Sequence, residues 1–582
     1  MKKNIKITSY FKDYRLLYFI AFVSVSIAEM LSLTIPIIIK FTIDSIISNE
    51  AYGKLRWLGD ILKGKIFYAC ILIVGITVIQ AIFQFFKGRT ASYCAEGIIN
   101  ELKKDLFDHI QHLPYSYLAK MNSGDLIQRS TSDMETIRKF LAVQLVEIIK
   151  VILMMIIITY SMLSLNIKLT FVGLSLIPFI LLFTFFYFLR VKKYFEITDE
   201  SEAEMSNVLK ENLSMVRVVK AFAREDYEIN KFDKKNKKFS NDIYKLVKEF
   251  AIFWSISDLI CYTQAALVVL FGVKYAYSGE ATLGVIAAFI TYEAMLLWPV
   301  REFGRVLTDL GKSLVSLKRI SEIMNEEIDQ HDDDGMKPKI FGKIEFNNLS
   351  FSHEDDVILK NISFKVEKGE TIGILGSTGS GKSSIIKLIA RLYEYDNGSI
   401  KIDDFELNQI NKKWMRKNLG LVLQEPFLFA KSIKENIQLG NINATQNDIE
   451  KVASMAAIHD NILTFEEGYD TIIGEKGVSL SGGQKQRISI AQSLIKKAPI
   501  IIFDDALSAV DTETDLKIRK TINERSEKLT TLIISHRIAT LKETDKILVI
   551  EKGEIVDVGT HDELIKKQGF YKKVWEIQSN TR

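Results

Sequence analysis

At 582 residues the chain is too long for one ordinary domain, and two to four are expected. Apolar residues at 48% beside 25% charged residues predict a membrane half joined to a soluble half. A net charge of +4 is too small to argue for a nucleic-acid partner, and the three cysteines, lacking CxxC spacing, indicate neither a metal site nor a disulfide framework.

Lys2, Lys3 and Lys6 precede the first apolar run and no small-residue cleavage site follows it, so an uncleaved first helix is expected. Apolar runs of membrane-spanning length lie at residues 16–39, 66–86, 145–165, 167–189, 252–277 and 283–303. Six spans put both ends of the chain on one side. The segments 87–144 and 190–250 are long, charged and helix-compatible, and the second is dense in lysine (Lys231, Lys234, Lys235, Lys237, Lys238). The connections 164–166 and 278–282 are short and poor in basic residues. The positive-inside bias therefore places both termini and the two long segments in the cytoplasm.

Acids inside spans are expensive and point to a cavity or a protein contact. Glu147 and Asp258 stand near cytoplasmic ends and fit helix extensions beyond the bilayer. Glu29 and Glu293 lie deeper, and two readings stay open for them: a substrate cavity, which would favour cationic amphiphiles, or interhelical hydrogen bonding. The phenylalanines of the fourth span (Phe179, Phe183, Phe185, Phe186) are expected to face lipid or to pack.

The acidic run 326–335 (EEIDQHDDDG) is expected to be a solvated connector. From about residue 340 short β-like runs (343–346, 371–375, 420–423, 500–503, 531–534, 546–550) alternate with helical stretches, which predicts an α/β domain with a largely parallel sheet. The domain reading is thus residues 1–325 as a six-helix membrane domain with cytoplasmic extensions, 326–339 as linker and 340–582 as an α/β nucleotide-binding unit.

Residues 376–383 read GSTGSGKS, directly after the apolar strand 371–375 and before a helical run. Glycine in such a loop lets backbone N–H groups wrap phosphates, and the helix that follows presents its positive end to them. Gly376, Ser377, Thr378, Gly379, Ser380, Gly381, Lys382, Ser383 and Ser384 are the predicted nucleotide contacts, with Lys382 on the β/γ-phosphates and Ser383 on Mg²⁺. Asp504, at the end of the apolar strand 500–503, is the matching Mg²⁺ acid. This much predicts a P-loop nucleotide triphosphatase.

The stretch 480–484, LSGGQ, narrows the class. It resembles the signature motif of ATP-binding cassette (ABC) ATPases, and the remaining family motifs fall in order. Gln424 in LVLQEPFLF matches the Q-loop, residues 508–511 (SAVD) the D-loop ending in Asp511, and His536 in IISHR the switch histidine. Residues 474–477 (GEKG) resemble the stretch that meets the intracellular loops in exporters. Six spans followed by one cassette is the layout of an ABC exporter half-transporter: a helical membrane domain plus an α/β P-loop cassette.

The resemblance implies a pair of cassettes facing head to tail. Each ATP, with Mg²⁺, would lie between one chain's phosphate loop and the other's signature, here Ser481, Gly482, Gly483 and Gln484. Gln424 would sense the metal, His536 the γ-phosphate, and Asp505 would act on the attacking water. Two positions depart from the pattern. The family normally carries Glu where this chain has Asp505, and Asp there is typical of one subunit of heterodimeric bacterial multidrug exporters whose partner carries Glu. The adenine-stacking aromatic is replaced by His353. Residues 124–141 resemble the stretch containing the first coupling helix and residues 210–225 the segment after the second; these short helices would sit in cassette grooves, the second crossing to the partner.

The expectation is an ATP-driven exporter of small hydrophobic or cationic compounds in the cell membrane, among membrane lipid, acting with a second half-transporter. A homodimeric lipid flippase and an ATP-gated regulator are the alternatives. Import is disfavoured, because importers usually keep spans and cassette on separate chains.

Overall fold

The computed structural model describes residues 9–47, 66–329, 335–353, 356–474, 480–508, 510–523 and 529–579. It divides into two compact units: residues 1–111 with 121–326, and residues 112–120 with 327–582.

The first unit is helical. Its elements are α1 (Arg15–Ile47) and α2 (Ile66–Gln111); the short α3 (Tyr115–Lys120) follows but belongs to the second unit. The rest of the first unit comprises α4 (Ser123–Leu165), α5 (Ile167–Leu174), α6 (Ile177–Ser214), the short α7 (Val216–Ala221), α8 (Glu225–Tyr277) and α9 (Leu283–Met324). Among the described residues five helical stretches are long and apolar enough to cross a membrane, one of them α5–α6 taken together, and α9 begins with the shorter apolar stretch Leu283–Pro299. The charged segments 87–144 and 190–250 are continuations of these helices for the most part, so the spans extend well past bilayer length.

Short connections leave helix ends to be capped locally. Asn166 accepts from Leu169 N (2.9 Å) at the start of α5 and donates through Nδ2 to Glu280 O (3.0 Å), tying the two short connections together. At the start of α9, Asp44 of α1 accepts from Gly284 N (3.0 Å) and Thr282 Oγ1 (2.9 Å), and Lys40 lies 3.1 Å from it. A carboxylate on the positive end of a helix is favoured there. The lysine-dense start of α8 is neutralised by neighbours: Lys235 and Lys238 reach Glu204 (3.0 and 2.9 Å), Lys231 reaches Glu211 (2.9 Å) and Lys237 reaches Asp233 (2.6 Å).

Residues 124–141, expected to contain the first coupling helix, belong to the membrane unit. Arg319 of α9 holds them through Asp125 (2.6 Å) and Asp133 (3.2 Å), and Arg129 donates to Arg319 O (2.6 Å). The piece that joins the cassette unit lies just upstream, at α3, after Pro114 interrupts the helical path. There the Tyr115 ring meets Tyr393 edge-on at 5.5 Å. The acidic run is not wholly solvated either: Asp329 pairs with Lys412 (2.8 Å) and donates its N–H to His112 O (2.6 Å); residues 330–334 of the run lie outside the described residues.

The second unit holds two sheets. The antiparallel one has the order β2 (Asp356–Val366), β1 (Ile344–His353), β4 (Asn397–Ile402), β5 (Phe405–Glu406). The other runs β10 (Glu554–Gly559), β9 (Lys546–Glu551), β3 (Thr371–Gly376), β8 (Thr530–Ile534), β7 (Ile500–Asp504), β6 (Leu419–Val422), parallel throughout except for β10. The parallel strands are almost continuously apolar because both faces are covered, and Ile372, Ile374, Ile502, Leu532 and Leu548 are fully buried. The core sheet is the one the sequence predicts; the antiparallel sheet was not anticipated.

Candidate nucleotide site

The site is assembled at the carboxyl ends of four adjacent parallel strands, the usual place for a ligand in an open α/β sheet. β3 ends at Gly376, β8 runs into His536, β7 ends at Asp504 followed by Asp505, and β6 leads to Gln424. Sequence neighbours 160 residues apart are brought together by strand order alone.

From Gly376 the chain enters the loop Ser377–Gly381 and then α10 (Lys382–Ile389), which carries Ser383 and Ser384 in its first turn. Gly379 (φ +80°) and Gly381 (φ +95°) adopt backbone conformations that side chains disfavour. At Gly381 a Cβ would also stand 2.6 Å from Leu359 Cδ2, so the position is closed by packing as well. Lys382 is 7% exposed and its Nζ donates to Gly376 O (2.8 Å) and Ser377 O (2.7 Å), which folds the loop around its ammonium. Burial pushes this lysine below its usual range, against the pull of Asp504 and Asp505. The Ser380 hydroxyl is buried without a hydrogen-bond partner.

Ser383 Oγ donates to Asp504 Oδ1 at 3.3 Å. A hydroxyl and a carboxylate side by side are hard oxygen donors of the kind Mg²⁺ takes, with phosphate and water completing the octahedron. Among the described residues no group of three or more His, Cys, Asp or Glu could hold a metal on its own. Ser383 and Asp504 would hold Mg²⁺, and it would supply charge neutralisation at the phosphates. Burial raises the Asp504 carboxyl above its ordinary value, with Asp505 adding to the effect. A cation beside it would relieve that burden.

Asp505 adopts φ +48°, a left-handed conformation that Asp tolerates better than longer side chains. Its N–H donates to Ile534 O (2.9 Å), its carbonyl accepts from Ser508 Oγ (2.7 Å), and Oδ1 is buried without a partner. Gln424 is exposed, two residues past the end of β6.

The signature residues stand on α11 (Gly482–Leu494). Ser481 caps it: its hydroxyl accepts from Gln484 N (3.3 Å) and its N–H donates to Gln484 Oε1 (2.9 Å). Gly482 and Gly483 follow in the first turn, so the positive helix end is presented by backbone with little side-chain cover. Gly474 is described, whereas residues 475–479, including most of the GEKG stretch, lie outside the described residues. Asp511 opens α12 (Thr512–Asn523), accepting from Thr514 N (2.9 Å), a bond that lowers its carboxyl from the ordinary value. His353 closes β1 with its ring against Tyr393, 5.3 Å between centroids.

Three residues not foreseen in the sequence tie these motifs together. Gln486, fully buried in α11, donates through Nε2 to Leu423 O (3.1 Å), fixing the backbone next to Gln424. Arg537 donates to Val510 O (3.1 Å), joining the switch loop to the SAVD loop. Gln578 of the last helix, α13 (Phe570–Ser579), donates to His536 O (2.7 Å) and accepts from Ile538 N (2.9 Å), bracketing the switch histidine. None of the three carries a local sequence signal, because each acts on a backbone group distant in the chain.

Residues 18–300 match the ABC transporter transmembrane region and residues 359–508 the ABC transporter family of ATP-binding domains. The chain is an ABC exporter half-transporter. Over 577 residues it is 32% identical to YknU, an uncharacterized ABC transporter ATP-binding protein of Bacillus subtilis strain 168, covering 98% of this chain and 97% of that one. It is 34% identical over 549 residues, 94% of each chain, to a Staphylococcus aureus (strain NCTC 8325 / PS 47) protein provisionally named a multidrug export ATP-binding/permease protein. Its fold is similar to that of a bacterial Atm1-family ABC exporter with ATP bound, with a TM-score of 0.79 at 23% identity over 97% of this chain and 98% of that one. The half-transporter is therefore a multi-pass membrane protein with an ATP-binding cassette.

Proposed function

We propose that this half-transporter exports small amphipathic compounds as the slow-site subunit of a heterodimer. The observation that carries the reading is Asp505. Its carboxylate stands about 1.5 Å, one carbon–carbon bond, short of where glutamate would place it. Misplacement of about 1 Å can cost about 10²-fold in rate. The left-handed backbone at this position suits Asp.

The other parts are retained. Lys382, Ser383 and Asp504 would bind ATP and Mg²⁺, with His353 on the adenine, His536 on the γ-phosphate and Gln424 reporting to the membrane domain. Ser481, Gly482, Gly483 and Gln484, capped and unobstructed, would complete the partner's site, with Asp511 across the same interface. ATP would close the cassettes, the membrane halves would open outward, and hydrolysis in the partner's site would reset them. Near α7, a cleft of about 530 Å³ includes Met215, Val218, Phe222 and Tyr227 in its lining. All four are more than half exposed in the single chain, which suits a second coupling helix that docks on a partner cassette.

The test is to purify the chain alone and with a co-encoded half-transporter carrying Glu, then measure ATPase activity and dye efflux in vesicles. The reading requires the pair to be far more active. Equal activity of the lone chain would favour a homodimer, such as a lipid flippase.

A further inference from the structure

Glu293 stands ten residues into α9, about 15 Å along the helix from Leu283 and inside its apolar stretch. It is 1% exposed, and neither carboxyl oxygen meets a donor in good hydrogen-bond geometry, the Gln264 amide of α8 being close by but committed elsewhere. The side chain is enclosed by protein, and that amide is the polar group beside it across the helices. Glu29, by contrast, accepts from Gln84 Nε2 at 3.4 Å, a contact between α1 and α2.

The carboxyl lies against a break in the fourth span. α5 ends at Leu174 and α6 begins at Ile177 with Pro178 in its first turn, leaving backbone groups of the joint without helical partners. Gln264 of α8, fully buried, serves that joint: Nε2 donates to Val172 O (2.7 Å) and Oε1 accepts from Leu176 N (2.9 Å). Both ends of its amide are thus committed. One turn before the break, Gly173 leaves room for the acid: a Cβ there would stand 3.8 Å from Glu293 Oε1, 3.6 Å from Val268 Cγ2 and 2.8 Å from Met162 Cε.

The helices packed here contribute no charge of their own to this spot. Leu33 of α1, Met162 of α4, Gly173 of α5, Ile177 of α6 and Val268 of α8 are its apolar surroundings. The nearby titratable groups are Tyr292, whose hydroxyl donates to Leu33 O (2.9 Å), and Cys261, packed with Leu297 one turn along α9. Charged residues on the same helices stand more than a turn away in sequence: Glu29 on α1, Glu147 and Lys150 on α4, Lys168 on α5, and Asp258 and Lys274 on α8. Lys150 pairs with Glu147 and Lys168 with Glu280.

An ionised carboxylate without a partner in such surroundings is strongly disfavoured, and ionisable groups inside membrane domains are retained where they work. Breaks in spanning helices are tolerated where protein or water re-satisfies the backbone, and they mark moving parts and ion sites in transporters. We propose that Glu293, set against the broken turn between α5 and α6, is a proton-binding site of the membrane domain. The carboxyl holds its proton while α5, α8 and α9 are packed as in this structure. When α9 parts from α5, water reaches Oε1 and takes the proton, leaving the carboxylate and hydronium; repacking returns a proton from water. The cycle would then carry a protonation step in the membrane in addition to ATP hydrolysis, whichever chain is the partner.

The measurement is infrared spectroscopy of the full-length chain in lipid nanodiscs at neutral pH. The C=O stretch of a protonated carboxylic acid is expected in the wild type, lost in Glu293→Gln and retained at a changed frequency in Gly173→Ala. A pH-sensitive dye should report release of about one proton per chain when a non-hydrolysable ATP analogue closes the protein, so that no proton comes from hydrolysis, and this release should be absent in Glu293→Gln. An unchanged carboxylic-acid band in folded Glu293→Gln would overturn the proposal. If Glu293→Gln does not fold, Glu293→Asp and the wild type decide. No protonated carboxyl at neutral pH in the wild type, or the same dye signal in Glu293→Asp and in Gly173→Ala as in a chain given no nucleotide, would also overturn it.

Discussion

Lengthening Asp505 to glutamate tests the geometry of the nucleotide site and has two consequences of opposite sign. The added methylene moves the carboxylate forward by about 1.5 Å, and recovering about 1 Å of misplacement is worth about 10²-fold, or about 2.7 kcal/mol of barrier. The backbone works against the change. At φ +48° Asp is tolerated better than a longer side chain, a difference of about 1 kcal/mol. In a domain of this size that lowers the melting temperature by about 2–4 °C. The assay is single-turnover ATP hydrolysis in the assembled pair with the partner's glutamate changed to glutamine, so that only this chain's site is read. Asp505→Glu should hydrolyse about 10–100-fold faster than Asp505 while melting slightly earlier. An unchanged rate with normal ATP binding would refute the claim that the short side chain limits this site.

Gln578→Glu keeps the acceptor for Ile538 N but loses the donor to His536 O. Removing one such bond, worth about 1 kcal/mol, should lower kcat about fivefold in the Asp505→Glu background, with ATP affinity unchanged by equilibrium binding. Gly381→Ala places a Cβ 2.6 Å from Leu359 Cδ2 at φ +95°. It should cost about 1–3 kcal/mol in thermal unfolding of the cassette and weaken nucleotide binding measured with a fluorescent ATP analogue. Arg319→Met leaves Asp133, whose side chain is 9% exposed, with the Ser316 hydroxyl (2.9 Å) and no cation. A loss of about 1–3 kcal/mol in stability is expected in a melt of the full chain, with ATP affinity intact.

What could be read from the sequence followed from how local each feature is. The phosphate loop, the acid strand and LSGGQ are contiguous stretches whose backbone requirements select their residues, so their positions at strand and helix ends follow directly. Five of the predicted spans were legible as long apolar runs among the described residues, and the last corresponds to the shorter apolar stretch Leu283–Pro299 at the start of α9. The break between α5 and α6 was not legible: residues 167–189 are predominantly apolar, with Lys168 as the single charge, and only Gly173 and Pro178 hint at it. The antiparallel sheet was missed because β1 and β2 pair with register shifts, near Asn348 and Asn361 at positive φ, which blur the two-residue alternation. That residues 112–120 group with the cassette unit was not foreseen, although Pro114 marks where the helical path stops. Gln486 and Gln578 act on backbone groups 63 and 42 residues away, and no local pattern encodes such contacts.

The asymmetry of the paired sites rests most directly on one comparison: ATPase activity of the purified chain alone against the same chain assembled with a half-transporter carrying the catalytic glutamate. Slow turnover by the lone chain despite firm ATP binding, and a rise of about 10²-fold on assembly, is the predicted result. Full activity of the lone chain, equal to that of the pair, would contradict it.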